Sequence, residues 1–324
     1  MVLQTRREWS RIPRTVTAIE PPSALDGDPK ALATWIYGLG PIETSDIRQL
    51  EQGMWELLQA NGSAPSGERE WLGIDGPSLA GKTYAAVVAM LRIHDRLIQS
   101  APKREHGGIA ECIPVIYVAD QRAQYLSLLK AIARFADLPV ARNVHADDLL
   151  DQLRNVLPRL GTRLIVVDDA HKLRRVGAAR DLTDCLKTVV DALPVTFVFI
   201  GAGLRQSALL KRTDRSEDEY SAAHQLELRA EYIGLGAFDE TDDDQLRVWR
   251  GRIHQMICQF ERIDGFDGTA ARSKDFAANL FHFAEGLTGR SYKLLRKSTL
   301  AAVKDNRSPT TDDLIAVYRR GLSR

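Results

Sequence analysis

Lys82 and Thr83 follow two glycines, Gly76 and Gly81, in the stretch GPSLAGKT. The spacing is G-x-x-x-x-G-K-[ST], that of a loop that holds phosphate oxygens with backbone N–H groups. Each residue type has a physical task there. Gly76 and Gly81 permit the tight turn and let the backbone approach an anion closely. Lys82 can reach the β- and γ-phosphates, and Thr83 can offer its hydroxyl to Mg²⁺. Pro77, Ser78, Leu79 and Ala80 complete the loop and Tyr84 enters the next helix, so residues 76–84 are the candidate nucleotide contacts. A second constellation closes the run LIVVDD. Asp168 and Asp169 stand at the carboxyl end of an apolar segment, where open α/β sheets bind ligands. Asp168 is the candidate metal residue, and Asp169 the candidate for polarising an attacking water. Two plainer readings stand beside these: a chance loop match, and an Asp pair that caps the following helix.

The loop and the acids need strands to carry them. WLGID (71–75) runs directly into the loop, and residues 82–98 read as a helix with Ala85, Val88, Met90, Leu91 and Ile93 on its apolar side. Further apolar runs at 112–120, 163–169 and 194–203, and a short one in AEYIGLG, alternate with helical stretches. Asp147 is the expected N-cap of the helix in ADDLLDQLRNVLPRL. Alternation of this kind gives an α/β fold, a parallel sheet covered by helices on both faces. From DETDDDQ onward only helical patterns occur, near 243–262, 272–285, 290–305 and 311–321. They predict an all-helical C-terminal lid. Before the first strand come a basic arm with Arg6, Arg7, Arg11 and Arg14, and helices near 29–38 and 44–61. The expected division is an arm and helical adaptor at 1–64, a nucleotide-binding α/β core at 65–238 and the lid at 239–324.

Composition bounds the function classes. The 324 residues are 44% hydrophobic, with no apolar run long enough for a membrane span. There is no apolar signal-peptide core, and Cys112, Cys185 and Cys258 lie too far apart for a zinc site or a disulfide framework. Buried thiols in a reducing cytoplasm are expected. A net charge of +1 argues neither for nor against nucleic acid, so any such surface must be local.

GPSLAGKT, VDDAHKL and TFVFIGAG, in this order, resemble an AAA+ ATPase of the transposon-regulator group, the TniB/TnsC/MuB-like proteins, over roughly residues 65–305. The similarity is greatest to TniB-type proteins of actinobacterial elements. It implies ATP and Mg²⁺ as cofactors, self-assembly into rings or filaments on double-stranded DNA, and recruitment of a transposase. It also implies roles for two arginines. Arg229, ahead of the last core strand, matches an arginine that acts in trans on a neighbour's γ-phosphate. Arg290, in EGLTGRSYKLL, matches the sensor-2 position. Where other AAA+ proteins often place a polar sensor, the FVFIG strand ends in Ile200 and Gly201, which leaves that role unassigned. Asp169 stands where the family has glutamate, one methylene longer, so slow hydrolysis or a binding switch is expected. His171 is a frequent family partner at that turn, with a structural role the simpler reading.

The same resemblance predicts basic residues that track DNA phosphates. The candidates are Lys103, Arg104, Arg122, Lys172, Arg174 and Arg175, for each of which a solvated charged face is the plainer reading. LLKRTDRSEDEY (209–220) reads as a polar loop near a subunit boundary. Two other functions remain open: an AAA+ switch outside transposition, such as a loader or a defence-type signalling ATPase, and a module that holds nucleotide for structure alone.

Overall fold

The computed structural model describes residues 20–21, 29–65, 68–100, 112–119, 125–170, 179–206, 222–264, 266–305 and 307–322. Most of the basic arm and the segment 209–220 lie outside them. The chain divides into two compact units. One holds Ser45–Gly76 and Lys82–Leu235. The other holds Pro77–Gly81 and Gly236–Arg324, together with the helix that precedes Ser45.

The first unit is built on one five-stranded sheet. Its strands are β1 (Trp71–Asp75), β2 (Val115–Ala119), β3 (Leu164–Asp168), β4 (Thr196–Ile200) and β5 (Ala230–Gly234). Their order is β2-β3-β4-β1-β5, and every pairing is parallel. Parallel strands need crossovers, and helices supply them. The β3 run LIVV is fully buried, as expected of a strand covered on both faces. β5, at the edge, is half exposed. The strands are shorter than the apolar runs that predicted them, because Ile113, Val195 and Leu235 are buried just outside the ladders.

Helix α2 (Ser45–Ser63) packs on α3 (Lys82–Ser100). A Cβ on Gly53 of α2 would lie 2.9 Å from the terminal methyl of Ile233 of β5, which would have to move aside for a larger residue. Residues 85–91 of α3 are all buried, so the first half of this helix is a core helix rather than an amphipathic one. Helices α4 (Tyr125–Phe135) and α5 (Ala146–Val156) both lie between β2 and β3. The expected cap of α5 is corrected here: His145 holds the N-cap position without a side-chain bond, and Asp147 lies in the first turn. There it favours the helix dipole rather than capping. Helices α6 (Ala179–Ala192) and α7 (Ala222–Leu228) complete the unit.

Among its described residues, the elements of the second unit are helices: α1 (Pro29–Gly38), α8 (Asp243–Phe260), α9 (Gly268–Ala271), α10 (Lys274–Ala284), α11 (Thr288–Val303) and α12 (Thr311–Leu322). Ile36, Trp249, Phe260, Phe276, Leu280 and Leu295 are at the centre of its core. Local signals set the helix starts. Asp242, Asp267 and Ser273 each accept backbone N–H bonds at an N-cap. Cys112 and Cys258 are half-buried thiols, not the fully buried ones expected. No helix among the described residues is long and apolar enough to cross a membrane.

Candidate nucleotide-binding site

In the α/β unit, β1 ends in Asp75 and the chain turns at Gly76, whose φ is 151°. A Cβ there would stand 2.0 Å from the Leu235 carbonyl oxygen, so only glycine fits. Lys82 opens α3, where the first backbone N–H groups have no intrahelical partner and the dipole is positive. Its side chain is 9% exposed, and Nζ donates to the Gly76 carbonyl at 2.8 Å. That bond ties the ammonium across the loop it closes. Burial lowers the Lys82 pKa from its ordinary value, against the pull of Asp168, Asp75 and Asp169. Lys82 therefore lies in the field of three carboxylates. Thr83, the next residue, is half buried.

β4 lies between β1 and β3, so the acid pair leaves the same edge of the sheet two strand spacings from the loop, roughly 10 Å. Asp168 is 6% exposed, and its Oδ2 accepts from the Tyr117 hydroxyl at 2.7 Å. The register explains the contact. Tyr117 pairs with Val166, and side chains two apart on a strand share a face. Burial, with Asp168 beside it, pushes the Tyr117 phenol well above its ordinary value. Asp169 has left the strand. Its φ is 55°, a left-handed conformation that aspartate tolerates better than most residues, and its N–H donates to Asp168 Oδ1 at 2.7 Å. The two acids are thus oriented differently by one peptide.

In the helical unit, Leu79 holds a φ of 66°, which costs a non-glycine residue about 1–2 kcal/mol. Its carbonyl accepts the Arg290 N–H at 3.2 Å, and a Cβ on Gly289 would stand 2.6 Å from that oxygen. The start of α11 therefore abuts the loop backbone, and Gly289 is the residue that allows it. The Arg290 guanidinium pairs with Glu285 at 2.7 Å. Gly81, with a φ of 100°, has open space where a side chain would be. Leu79 and Tyr84 are exposed.

Arg229 is placed differently. It precedes β5, at the amino ends of the strands, where its Nη1 pairs with Asp191 of α6 at 2.8 Å and its side chain is 15% exposed. The five-residue strands separate it from the loop edge by roughly 16 Å. The DNA candidates Lys103, Arg104, Arg122, Lys172, Arg174 and Arg175, and His171, lie outside the described residues. Two site residues escaped the sequence reading. Tyr117 stood out as a tyrosine in an otherwise aliphatic run, and Asp75 as an acid at the last position of a buried strand.

The fold and this edge of the sheet define the class: an AAA+ P-loop fold with a C-terminal set of helices. The description "Bacterial TniB protein" matches residues 41–219, more than half of the chain, and the chain belongs to the TniB family. That span includes the loop, the acid pair and β4, but neither Arg229 nor Arg290. Among curated proteins, none matches the sequence. Among solved structures, the Aeropyrum pernix ORC2 protein in ADPNP–ADP complexes is similar at a TM-score of 0.61 and 16% identity, over 86% of this chain and 69% of that one. The Aeropyrum pernix ORC1 protein in complex with DNA follows at 0.59 and 16%, over 89% and 67%. Drosophila ORC bound to DNA is similar at 0.59 and 12%, over 95% and 70%. Identities this low speak for the fold alone.

Proposed function

We propose that this protein is an ATP-dependent, DNA-associated switch that self-assembles and recruits a transposase to target DNA. The observation that carries the reading is Lys82, buried on the Gly76 carbonyl at the start of α3, with Asp168 and Asp169 leaving the same sheet edge. This set fits a magnesium–nucleotide. Gly76, with its positive φ, and the open N–H groups at the start of α3 suit a phosphate, and the buried Asp168 at the same sheet edge is of the type that faces a divalent cation. Residues 76–83 would hold the phosphates, with Thr83 and Asp168 at the metal. Magnesium would supply charge neutralisation at the phosphates. Asp169 would orient the water, from a backbone set apart from that of Asp168.

Membership of the TniB family supports the transposase link, and similarity to ORC structures solved with DNA or with nucleotide supports the two ligands. Arg229 would have to leave Asp191 before acting on a neighbour, so we assign it first to its own subunit. Arg290 stays the sensor-2 residue in this reading, since its backbone already touches the loop at Leu79.

Sedimentation and imaging with double-stranded DNA, with and without a non-hydrolysable ATP analogue, test the proposal. Assemblies should form only with analogue, and DNA affinity should fall steeply with salt. Lys82→Ala should weaken analogue binding by about 100-fold or more, as expected for loss of a charged phosphate contact. Analogue binding without DNA association would favour an AAA+ switch outside transposition. Undiminished binding by the Lys82 variant would remove the site assignment.

A further inference from the structure

We propose that Asp75 is a positioning residue that couples the phosphate-binding loop to the turn after β4, so that this turn responds to nucleotide occupancy. The inference rests on the nucleotide-binding reading above. An ionised side chain at the end of a buried strand needs compensation, and the structure shows where it comes from. Asp75 Oδ1 accepts the Gly76 N–H at 2.7 Å and the Leu204 N–H at 3.0 Å, and Oδ2 accepts the Arg205 N–H at 3.3 Å. One carboxylate thus bridges the first loop residue and a turn that follows a different strand. Gly203, with a φ of 66°, supplies the left-handed residue that lets successive N–H groups converge on one anion. Burial would raise the Asp75 pKa, yet the N–H groups of Leu204, Arg205, Gly76 and Gly203 outweigh it and hold the pKa below its ordinary value.

The neighbours are fixed, which makes the carboxylate the adjustable link. Gly201 N–H bonds to the Ile74 carbonyl at 3.0 Å, and Leu235 N–H to the Asp75 carbonyl at 2.8 Å. The Arg205 guanidinium turns away, donating to the Tyr232 carbonyl at 3.2 Å and lying 5.0 Å over its ring. The turn itself carries no polar sensor side chain at Ile200 or Gly201, so Asp75 supplies the polar contact from the neighbouring strand. A phosphate held at Gly76 and Lys82 has the same sign of charge as Asp75 and competes for the same ammonium. The carboxylate then leans harder on Leu204 and Arg205.

Amide hydrogen exchange on the full chain, with and without a non-hydrolysable ATP analogue, reads this directly. In the parent, analogue should slow exchange at Leu204 and Arg205 by about tenfold, the scale of one strengthened charged hydrogen bond. Asp75→Ala, at a fluorescent-analogue concentration that saturates it, should have a turn that exchanges fast in both states. Asp75→Asn keeps one acceptor oxygen and turns a donor toward Arg205 N–H, so it should restore protection at Leu204 alone. Exchange in β3 is the internal reference. A turn that responds equally in the parent and in Asp75→Ala overturns the proposal, as does faster exchange spread through β3, which marks a merely stabilising role. If the parent binds analogue and its turn is indifferent, only this inference fails. If the parent binds no analogue, the nucleotide reading fails with it.

Discussion

The two ends of the parallel sheet are held together by opposite means. At the amino ends, Asn61, Trp71, Asp191 and Arg229 all find polar partners within the unit. Asn61 donates to the Glu70 carbonyl at 2.8 Å and to Thr196 at 3.1 Å, and accepts the Glu70 N–H at 3.0 Å. Trp71 Nε1 donates to the Leu226 carbonyl at 2.9 Å, and Asp191 takes both Lys187 and Arg229 at 2.8 Å. At the carboxyl ends, Lys82 lies in the field of Asp168, Asp75 and Asp169, and three turns have positive φ, at Gly76, Asp169 and Gly203. The lesson is one of division of labour. Satisfied groups fix the strands at one end, and strain and unbalanced charge are left at the other, where a charged ligand can use them.

This contrast can be broken experimentally. The largest effect is expected from Gly76→Ala. Its Cβ would meet the Leu235 carbonyl at 2.0 Å, so the β1–β5 contact must part, at a cost of about 4 kcal/mol or more. Thermal melting and analogue binding should both collapse. A variant that melts like the parent would show that the loop edge tolerates more than this geometry allows.

Asp169 tests the chemistry of that edge rather than its shape. Asp169→Asn should lower DNA-stimulated ATP turnover by about 100-fold, the usual scale for loss of a general base, and trap the assembled state. Asp169→Glu should raise turnover by restoring the missing methylene. Turnover by the Asn variant at the parental rate would reduce Asp169 to a turn residue, which its left-handed backbone and bond to Asp168 also suit.

Arg229→Ala sharpens the comparison from the other end. Removing a largely buried ion-pair partner should cost about 1–2 kcal/mol and lower Tm by about 2–4 °C, while the isolated subunit binds analogue as before. Asp191 keeps Lys187, which limits the loss. If stability is unchanged and turnover in the assembly disappears, Arg229 works on a neighbour and the amino end is not purely structural.

The smallest effect belongs to Tyr117→Phe, which removes one hydrogen bond to Asp168 at a cost of about 1 kcal/mol. Its pH dependence has a definite sign. The folded phenol titrates above the ordinary value of 10.0 and the unfolded one near it. The stabilisation is complete below pH 10 and is lost as the pH rises beyond it. Denaturant melts of the Phe variant should fall less steeply in that alkaline range than those of the parent.

The sequence by itself determined the loop, the acid pair and the alternation of strands and helices. These depend on neighbours in the chain: a lysine beside a glycine and a hydroxyl, and acids that end an apolar run. The C-terminal helices were legible for the same reason, through helical patterns in consecutive residues. Only the tertiary structure decided what surrounds the loop. Tyr117 reaches Asp168 across 51 residues and Asp75 reaches Arg205 across 130, through pairings that nothing in either local stretch encodes. Arg229 likewise looked free from its sequence neighbours, and the fold gave it Asp191. The physical reason is that strand order and register choose which residues meet at a sheet edge. Those follow from how the whole apolar core packs, whereas a phosphate-binding loop is built almost entirely from consecutive backbone.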